Sequence, residues 1–201
     1  MVKLKEERVY AVCKRGIDVF LSLLLLAFLA PLFYLIALGV RLTSPGPALF
    51  CQVRMGKGLE PFLLYKFRTM ARSAPRECPT AAFVSPARHI TRFGAFLRKT
   101  SLDELPQLWN VLRGDMSLLG PRPVLLAETD LIAARAVCGA YRVRPGMSGL
   151  SQVLGRDLLN DEEKAALDGV YARRLSLRAD LRLLWATGVA VLFHRGVKEG
   201  K

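Results

Sequence analysis

The sequence predicts a mostly helical α+β protein in which one small domain stands on a membrane-inserted N-terminal foot. Three observations lead there. Residues 19–40 form a run of 22 uncharged, largely apolar residues with Pro31 near its middle. Downstream, apolar residues recur at helical spacing in several segments, whereas residues 50–70 are broken by glycine-containing turns. The 201-residue chain also combines 52% hydrophobic residues with 30 Lys+Arg against 17 Asp+Glu, a net charge of +13. So basic a chain calls for an anionic partner. Its high apolar content favours lipid headgroups or a phosphorylated substrate over nucleic acid.

The foot comes first. Its apolar run is long, contains Pro31 and Tyr34, and is followed by no small-x-small cleavage site, which argues against a cleaved signal peptide. Lys3, Lys5, Arg8, Lys14 and Arg15 precede it, and Arg41, Arg54 and Lys57 follow it. A single span normally carries its lysines and arginines on one side, and here both flanks are basic. Pro31 removes one helix hydrogen bond and clashes with the preceding turn, so the helix bends there. The arm before it, residues 19–30, would reach roughly 18 Å, short of a hydrocarbon core of about 30 Å. A proline-kinked span and a helix that dips in and returns both fit these features.

TSPGP at residues 43–47 ends the foot. Residues 50–70 read as a hairpin or extended elements, and residues 71–86, with Pro75, Pro79 and Pro86, as a loop. Residues 90–99 place Ile90, Phe93, Phe96 and Leu97 at helical spacing among basic residues. This short amphipathic helix suits either an anionic lipid surface or an ordinary core. Residues 104–113, 129–141 and 161–175 predict further helices, and the last runs near residues 179–193. Its apolar part, residues 183–193, is too short to span a bilayer and predicts a core or interfacial helix. Cys13, Cys51, Cys78 and Cys138 form no CxxC or metal-like spacing and read as reduced thiols; His89 and His194 stand alone.

The densest chemistry lies in RKTSLDELPQLWNVLRGDMSLLGPRPVL, residues 98–125. Asp103 and Glu104 are adjacent and surrounded by Arg98, Lys99 and Arg122. Ser101 through Glu104 matches an S-x-x-E capping box, so the acids could simply begin a helix. Pro106 moves that helix start toward Asp103 itself. A carboxylate among these cations is kept ionised, and an ionised aspartate can attack a phosphoryl group or bind Mg²⁺. Arg122 sits between two prolines, Arg144 lies in Val143-Arg144-Pro145-Gly146, and Arg156 follows Gly155. Arginines held on rigid loops suit a diphosphate, which they grip bidentately. RNA-reading aromatic motifs, C₂H₂ spacing and long basic tracts are lacking, which weighs against a nucleic-acid binder; a non-enzymatic basic membrane-surface protein is the other alternative.

These motifs together resemble the bacterial sugar transferases, monotopic phosphoglycosyl transferases that begin glycoconjugate assembly on polyprenol phosphate. The resemblance covers nearly the whole chain. It runs from the basic N-terminal helix and Pro31 through YKFRTM, TSLDELPQLWNVLRGDMSLLGPRP and VRPGMSGLSQVLGR to LDGVYARRLSLRADLRLL. It implies that the foot, residues 1–42, is a re-entrant helix-break-helix. Residues 43–201 would then form a cytoplasmic catalytic domain with interfacial amphipathic helices and a short β element. The compact length is similar to the minimal form, without the added spans of larger relatives.

The resemblance further implies a monotopic protein on the cytoplasmic face of the bacterial inner membrane. It would transfer a sugar-1-phosphate from a UDP-sugar to polyprenol (undecaprenyl) phosphate, releasing UMP in a ping-pong cycle that needs Mg²⁺. UMP release from a UDP-sugar would separate such an enzyme from a non-enzymatic basic membrane-surface protein. Asp103 would be the nucleophile and a metal ligand, and Glu104 its dyad partner. Lys66, Arg98, Arg122 and Arg156 would surround phosphates and nucleotide, with Asp168 near them and Arg144 in support. Two departures stand out. The break carries Ala30-Pro31 where the family often has Ser-Pro, and LDGVYA has Gly169 and the single aromatic Tyr171 where two aromatics are common.

Overall fold

The computed structural model describes residues 2–71, 73–74, 89–155 and 158–192. Helix α1 (Val2–Phe28) and helix α2 (Ala30–Thr43) meet at Leu29 and are bent by 64°. The cause is local. The Leu29 amide still bonds the Leu25 carbonyl and Phe33 bonds Leu29, but Pro31 between them has no N–H to give to Ala27. Pro31 therefore falls in the first turn of α2, where a missing donor is tolerated. The bend forms with Ala30, without a serine hydroxyl before the proline. Among the described residues no single helix is long and apolar enough to cross a membrane.

Phe20, Phe28, Tyr34 and Leu42, all more than 60% exposed, leave a large apolar surface on this bent pair, of the kind that marks a membrane or partner contact. The other side of α2 is core: Ile36 and Val40 pack with Phe67 and Leu97.

Not every basic flank residue faces outward. Arg15 donates to the carbonyls of Val111 (2.6 Å) and Leu112 (2.8 Å), and Lys14 pairs with Asp180 at 3.2 Å. Arg54 is largely buried and donates weakly to the Pro123 carbonyl at 3.4 Å. Tyr10 donates to Asp180 (2.7 Å), and Asp18 accepts from the Leu118 amide (3.2 Å). The α1 helix is thus latched to the domain before its apolar part begins.

Strands β1 (Leu49–Met55) and β2 (Pro61–Phe67) form the expected antiparallel hairpin, with Cys51 opposite Tyr65 and Arg54 opposite Phe62. Gly58, at φ 68°, makes the tight connection. Helix α3 (Arg92–Lys99) starts two residues later than its apolar pattern, because Thr91 caps it by accepting from the Gly94 amide at 2.9 Å. Ile90 instead pairs with Met70 in an isolated antiparallel bridge. The loop at residues 71–86 lies mostly outside the described residues.

The helix expected at residues 104–113 is corrected. A separate 3-10 turn spans Leu102–Glu104, and helix α4 (Gln107–Arg113) begins only after Pro106. Nor does Ser101 cap anything: its backbone is left-handed (φ 57°) and its side chain makes no cap bond. The helix expected at residues 129–141 is shorter too. Helix α5 (Thr129–Cys138) stops at the left-handed Gly139, and a 3-10 turn, Ala140–Arg142, follows.

Strands β3 (Ser117–Leu119) and β4 (Gly146–Ser148) pair in parallel, Ser117 with Gly146 and Leu119 with Ser148, a contact too short to read from sequence. Helices α6 (Leu150–Leu154), α7 (Asp161–Arg173) and α8 (Leu177–Leu192) complete the chain. Asn160 and Glu163 form a full capping box at the start of α7. Leu119, Tyr171 and Leu183 join β3, α7 and α8 in one apolar cluster.

Candidate active site

The left-handed Ser101 turns the chain sharply after α3, so Asp103 and Glu104 project from a tight turn rather than from a helix. Strand β2 faces that turn. Asn110, fully buried in α4, accepts from the Tyr65 amide (3.0 Å) and donates to the Leu63 carbonyl (2.7 Å). This one amide side chain fastens α4 to the strand that carries Lys66.

Glu104 is the organiser of the cations. Lys66 Nζ lies 2.9 Å and Arg122 Nη2 2.8 Å from the same oxygen, Oε1. Burial alone would favour the neutral acid, but Arg122 and Lys66 outweigh it and hold the Glu104 carboxyl well below the usual carboxylate range. Asp103 moves the other way. Burial raises it, Lys66 opposes, and the neighbouring Glu104 charge raises it further. Glu104 therefore ionises first and Asp103 second. Lys66 is held below the ordinary lysine value, chiefly by its burial, with Glu104 opposing and Arg122 adding to the shift.

Arg98 approaches from α3. Gly94 makes the approach close, because a Cβ there would collide with the Thr69 backbone. Arg98 Nε then donates to Thr69 Oγ1 at 2.9 Å, and the Arg98 charge acts on Asp103.

Arg122 rides on a pinned loop. The Gly120 amide bonds the Ser148 carbonyl (2.8 Å), the Gly146 amide bonds Pro121 (2.9 Å), and the Met55 amide bonds Val124 (2.9 Å). A Cβ on Gly120 would strike the Arg144 carbonyl, so only glycine lets the loop lie this close to β4. Arg54, pushed down to about 10 by burial and by Arg122, adds charge beside the loop.

The remaining expected residues separate. Arg144 Nε donates to the Gly114 carbonyl (2.8 Å), where it supports the end of α4. Asp168 is buried at the α5–α7 contact with Arg135 and Ser151. Arg156 lies outside the described residues. Asn110 and Arg135 were not singled out by sequence, and Arg54 only as a basic residue flanking the foot. A polar residue on an apolar helical stripe is the signal that could have found two of them: Asn110 beside Leu108 and Val111, and Arg135 four residues after Leu131.

Hard carboxylate oxygens amid cations suit Mg²⁺, which keeps waters and takes substrate phosphate oxygens alongside one or two protein carboxylates. Among the described residues no group of three or more His, Cys, Asp or Glu gathers, so the fit is to that shared mode of binding.

The acidic pair and its cations thus lie beside the bent apolar foot, with Leu102 and Leu105 packed against the core cluster that holds the α2 residues Ile36 and Val40. The chain belongs to the bacterial sugar transferase family, whose model matches residues 9–194. It is 43% identical over 189 residues to the UDP-glucose:undecaprenyl-phosphate glucose-1-phosphate transferase of Caulobacter vibrioides, covering 89% of this chain and 69% of that protein. It is 36% identical over 195 residues to the UDP-N-acetylgalactosamine-undecaprenyl-phosphate N-acetylgalactosaminephosphotransferase of Aeromonas hydrophila, covering 94% and 46%. The exopolysaccharide production protein PSS of Rhizobium leguminosarum is 39% identical over 191 residues, with 90% of this chain and 96% of that protein covered. The chain thus spans most of some relatives and less than half of others.

Proposed function

We propose that this protein transfers a sugar-1-phosphate from a UDP-sugar to a polyprenol phosphate of the undecaprenyl type, a first membrane step of glycoconjugate assembly. The observation that carries the reading is the division of labour in the dyad. Glu104 is committed to Lys66 and Arg122 through one oxygen, which leaves the adjacent Asp103 carboxylate to do the chemistry.

Asp103 attacks the sugar-bearing phosphorus, the bond from that phosphorus to the bridging oxygen breaks, and UMP leaves with the electron pair. A phosphate oxygen of the polyprenol phosphate then attacks the aspartyl-phosphosugar, giving polyprenol diphosphate-sugar and returning the Asp103 carboxylate. Arg98 and Arg122 hold the phosphates and stabilise the charge that develops on them, and Lys66 keeps Glu104 in place. Mg²⁺, when bound, supplies further neutralisation of the diphosphate, with Asp103 as its protein ligand. Arg156 is assigned to the phosphates and nucleotide by family resemblance.

The foot fits this chemistry. Residues 1–42, bent at Leu29, enter the cytoplasmic leaflet and return, and residues 43–201 stay on the cytoplasmic face of the bacterial inner membrane. A soluble nucleotide sugar and a lipid-borne phosphate then meet at one interface. A panel of UDP-sugars, each tested with Mg²⁺ and undecaprenyl phosphate, is expected to give UMP with at least one sugar. Release from none overturns the reading.

A further inference from the structure

Asp168 and Arg135 form the most deeply buried ion pair among the described residues. Arg135 Nη2 lies 2.6 Å from the Asp168 carboxylate, and the two residues are 1% and 2% exposed. Ser151 Oγ donates to the other oxygen of Asp168 at 2.8 Å. The second arm of the guanidinium does something different: Arg135 Nη1 donates to the main-chain carbonyl of Arg122 at 2.7 Å. The side chain of that same Arg122 reaches Glu104 at 2.8 Å. A continuous line therefore runs from α7 through α5 to the dyad.

The packing is built for this contact. A Cβ on Gly169 would lie 2.8 Å from both the Cβ and the carbonyl oxygen of Cys138, so glycine lets α7 press against α5 beside Asp168. That gives a physical reason for the LDG in this chain. Stability alone explains the ion pair poorly, because matched apolar residues often replace a buried pair at no cost. An apolar pair could hold α5 to α7, but it could not donate to the Arg122 carbonyl.

We propose that Arg135 and Asp168 are positioning residues for the transfer reaction. Asp168 and Ser151 aim the Arg135 guanidinium, and Arg135 fixes the Arg122 main chain so that its side chain meets Glu104 and the substrate phosphate together. The inference rests on the transferase reading above, and it gives Asp168 a role behind the site instead of against substrate.

The test is a double-mutant cycle on the full chain, reading the kcat of UMP release. One arm replaces the pair by apolar residues (Arg135→Met with Asp168→Leu), the other is Arg122→Ala, and the third combines them. With Arg122 present, the apolar pair should lose about tenfold or more in kcat at an unchanged thermal midpoint, as misplacement of a reacting group does. In the Arg122→Ala background the further loss should be about twofold or less, because the pair acts through a side chain already gone. Equal losses in the two backgrounds overturn the inference. Should the apolar pair not fold, Arg135→Lys runs the same cycle, since it keeps a charge opposite Asp168 but cannot also reach the Arg122 carbonyl. A wild type that releases UMP but gives additive losses rejects the positioning role alone; a wild type that releases none rejects the transferase reading and this inference with it.

Discussion

Arg122 Nη2 lies 2.8 Å from Glu104 Oε1, the same oxygen that Lys66 takes at 2.9 Å. Two cations on one oxygen make Glu104 the hub of the site. Arg122→Ala should cut UMP release by about a hundredfold or more, the scale of losing a preorganised charge from a transition state. Arg122→Lys should recover only part, because an ammonium cannot bond Glu104 and a phosphate in one plane as a fork does. Near-normal release by the alanine variant would remove Arg122 from the mechanism.

The two acids should respond oppositely to pH. Glu104 is held low by Arg122 and Lys66 against its burial, so its stabilising contribution is present above the ordinary glutamate range and is lost as pH falls toward its folded value. Asp103 is raised by burial and by Glu104, so ionising it in the fold costs stability as pH rises through its folded value. Asp103→Asn should therefore melt at or above the wild-type midpoint near pH 7.5, with each kcal/mol regained worth about 2–4 °C. Glu104→Gln should melt lower at that pH and lose part of the acid sensitivity of the wild type. Melting curves across pH check both signs.

UMP release should rise with pH through the elevated Asp103 value, since only the carboxylate attacks. A rate that falls over that range, with the fold intact, would point to a protonated Asp103 instead.

Asn110 is the strap between α4 and β2. Asn110→Ala leaves the partly buried Tyr65 amide and the Leu63 carbonyl without this partner, which should cost about 1–3 kcal/mol in all. It should also lower turnover, because Lys66 follows Tyr65 in the strand. A denaturation midpoint equal to that of the wild type would show that water or a neighbour replaces the strap.

The bend at Leu29 predicts that both ends of the foot face the cytoplasm. Single cysteines near residues 5 and 45, in a background without native cysteines, should both resist an impermeant reagent added outside intact cells. Labelling of either end would mean that the segment crosses. Pro31→Leu restores the missing donor and should straighten the pair toward a span.

Much of the fold was legible because periodicity is local: the hairpin, α3, α7 and α8 lie close to where apolar spacing and turn residues place them. The dyad was legible as two acids among cations, but its setting was not. The S-x-x-E pattern suggested a cap, whereas left-handed Ser101 and the separate 3-10 turn depend on how α3 meets β2. The β3–β4 pair was hidden for a similar reason. Three-residue strands carry no period, and theirs is fixed by close approach at Gly120 and Gly146. Asp168 was found by resemblance, but its partner Arg135 depends on which face of α5 turns inward.

The central claim is that Asp103 becomes covalently modified, and the mass of the protein tests it most directly. Wild-type protein, mixed with a UDP-sugar that supports turnover and Mg²⁺ but no polyprenol phosphate, should release up to one UMP per site. It should gain the mass of one phosphosugar, located on Asp103. Asp103→Asn, checked against deamidation, should release none and gain none while keeping its fold. Sustained turnover by Asp103→Asn, or a wild type that transfers to polyprenol phosphate yet carries no adduct on Asp103, would contradict the account.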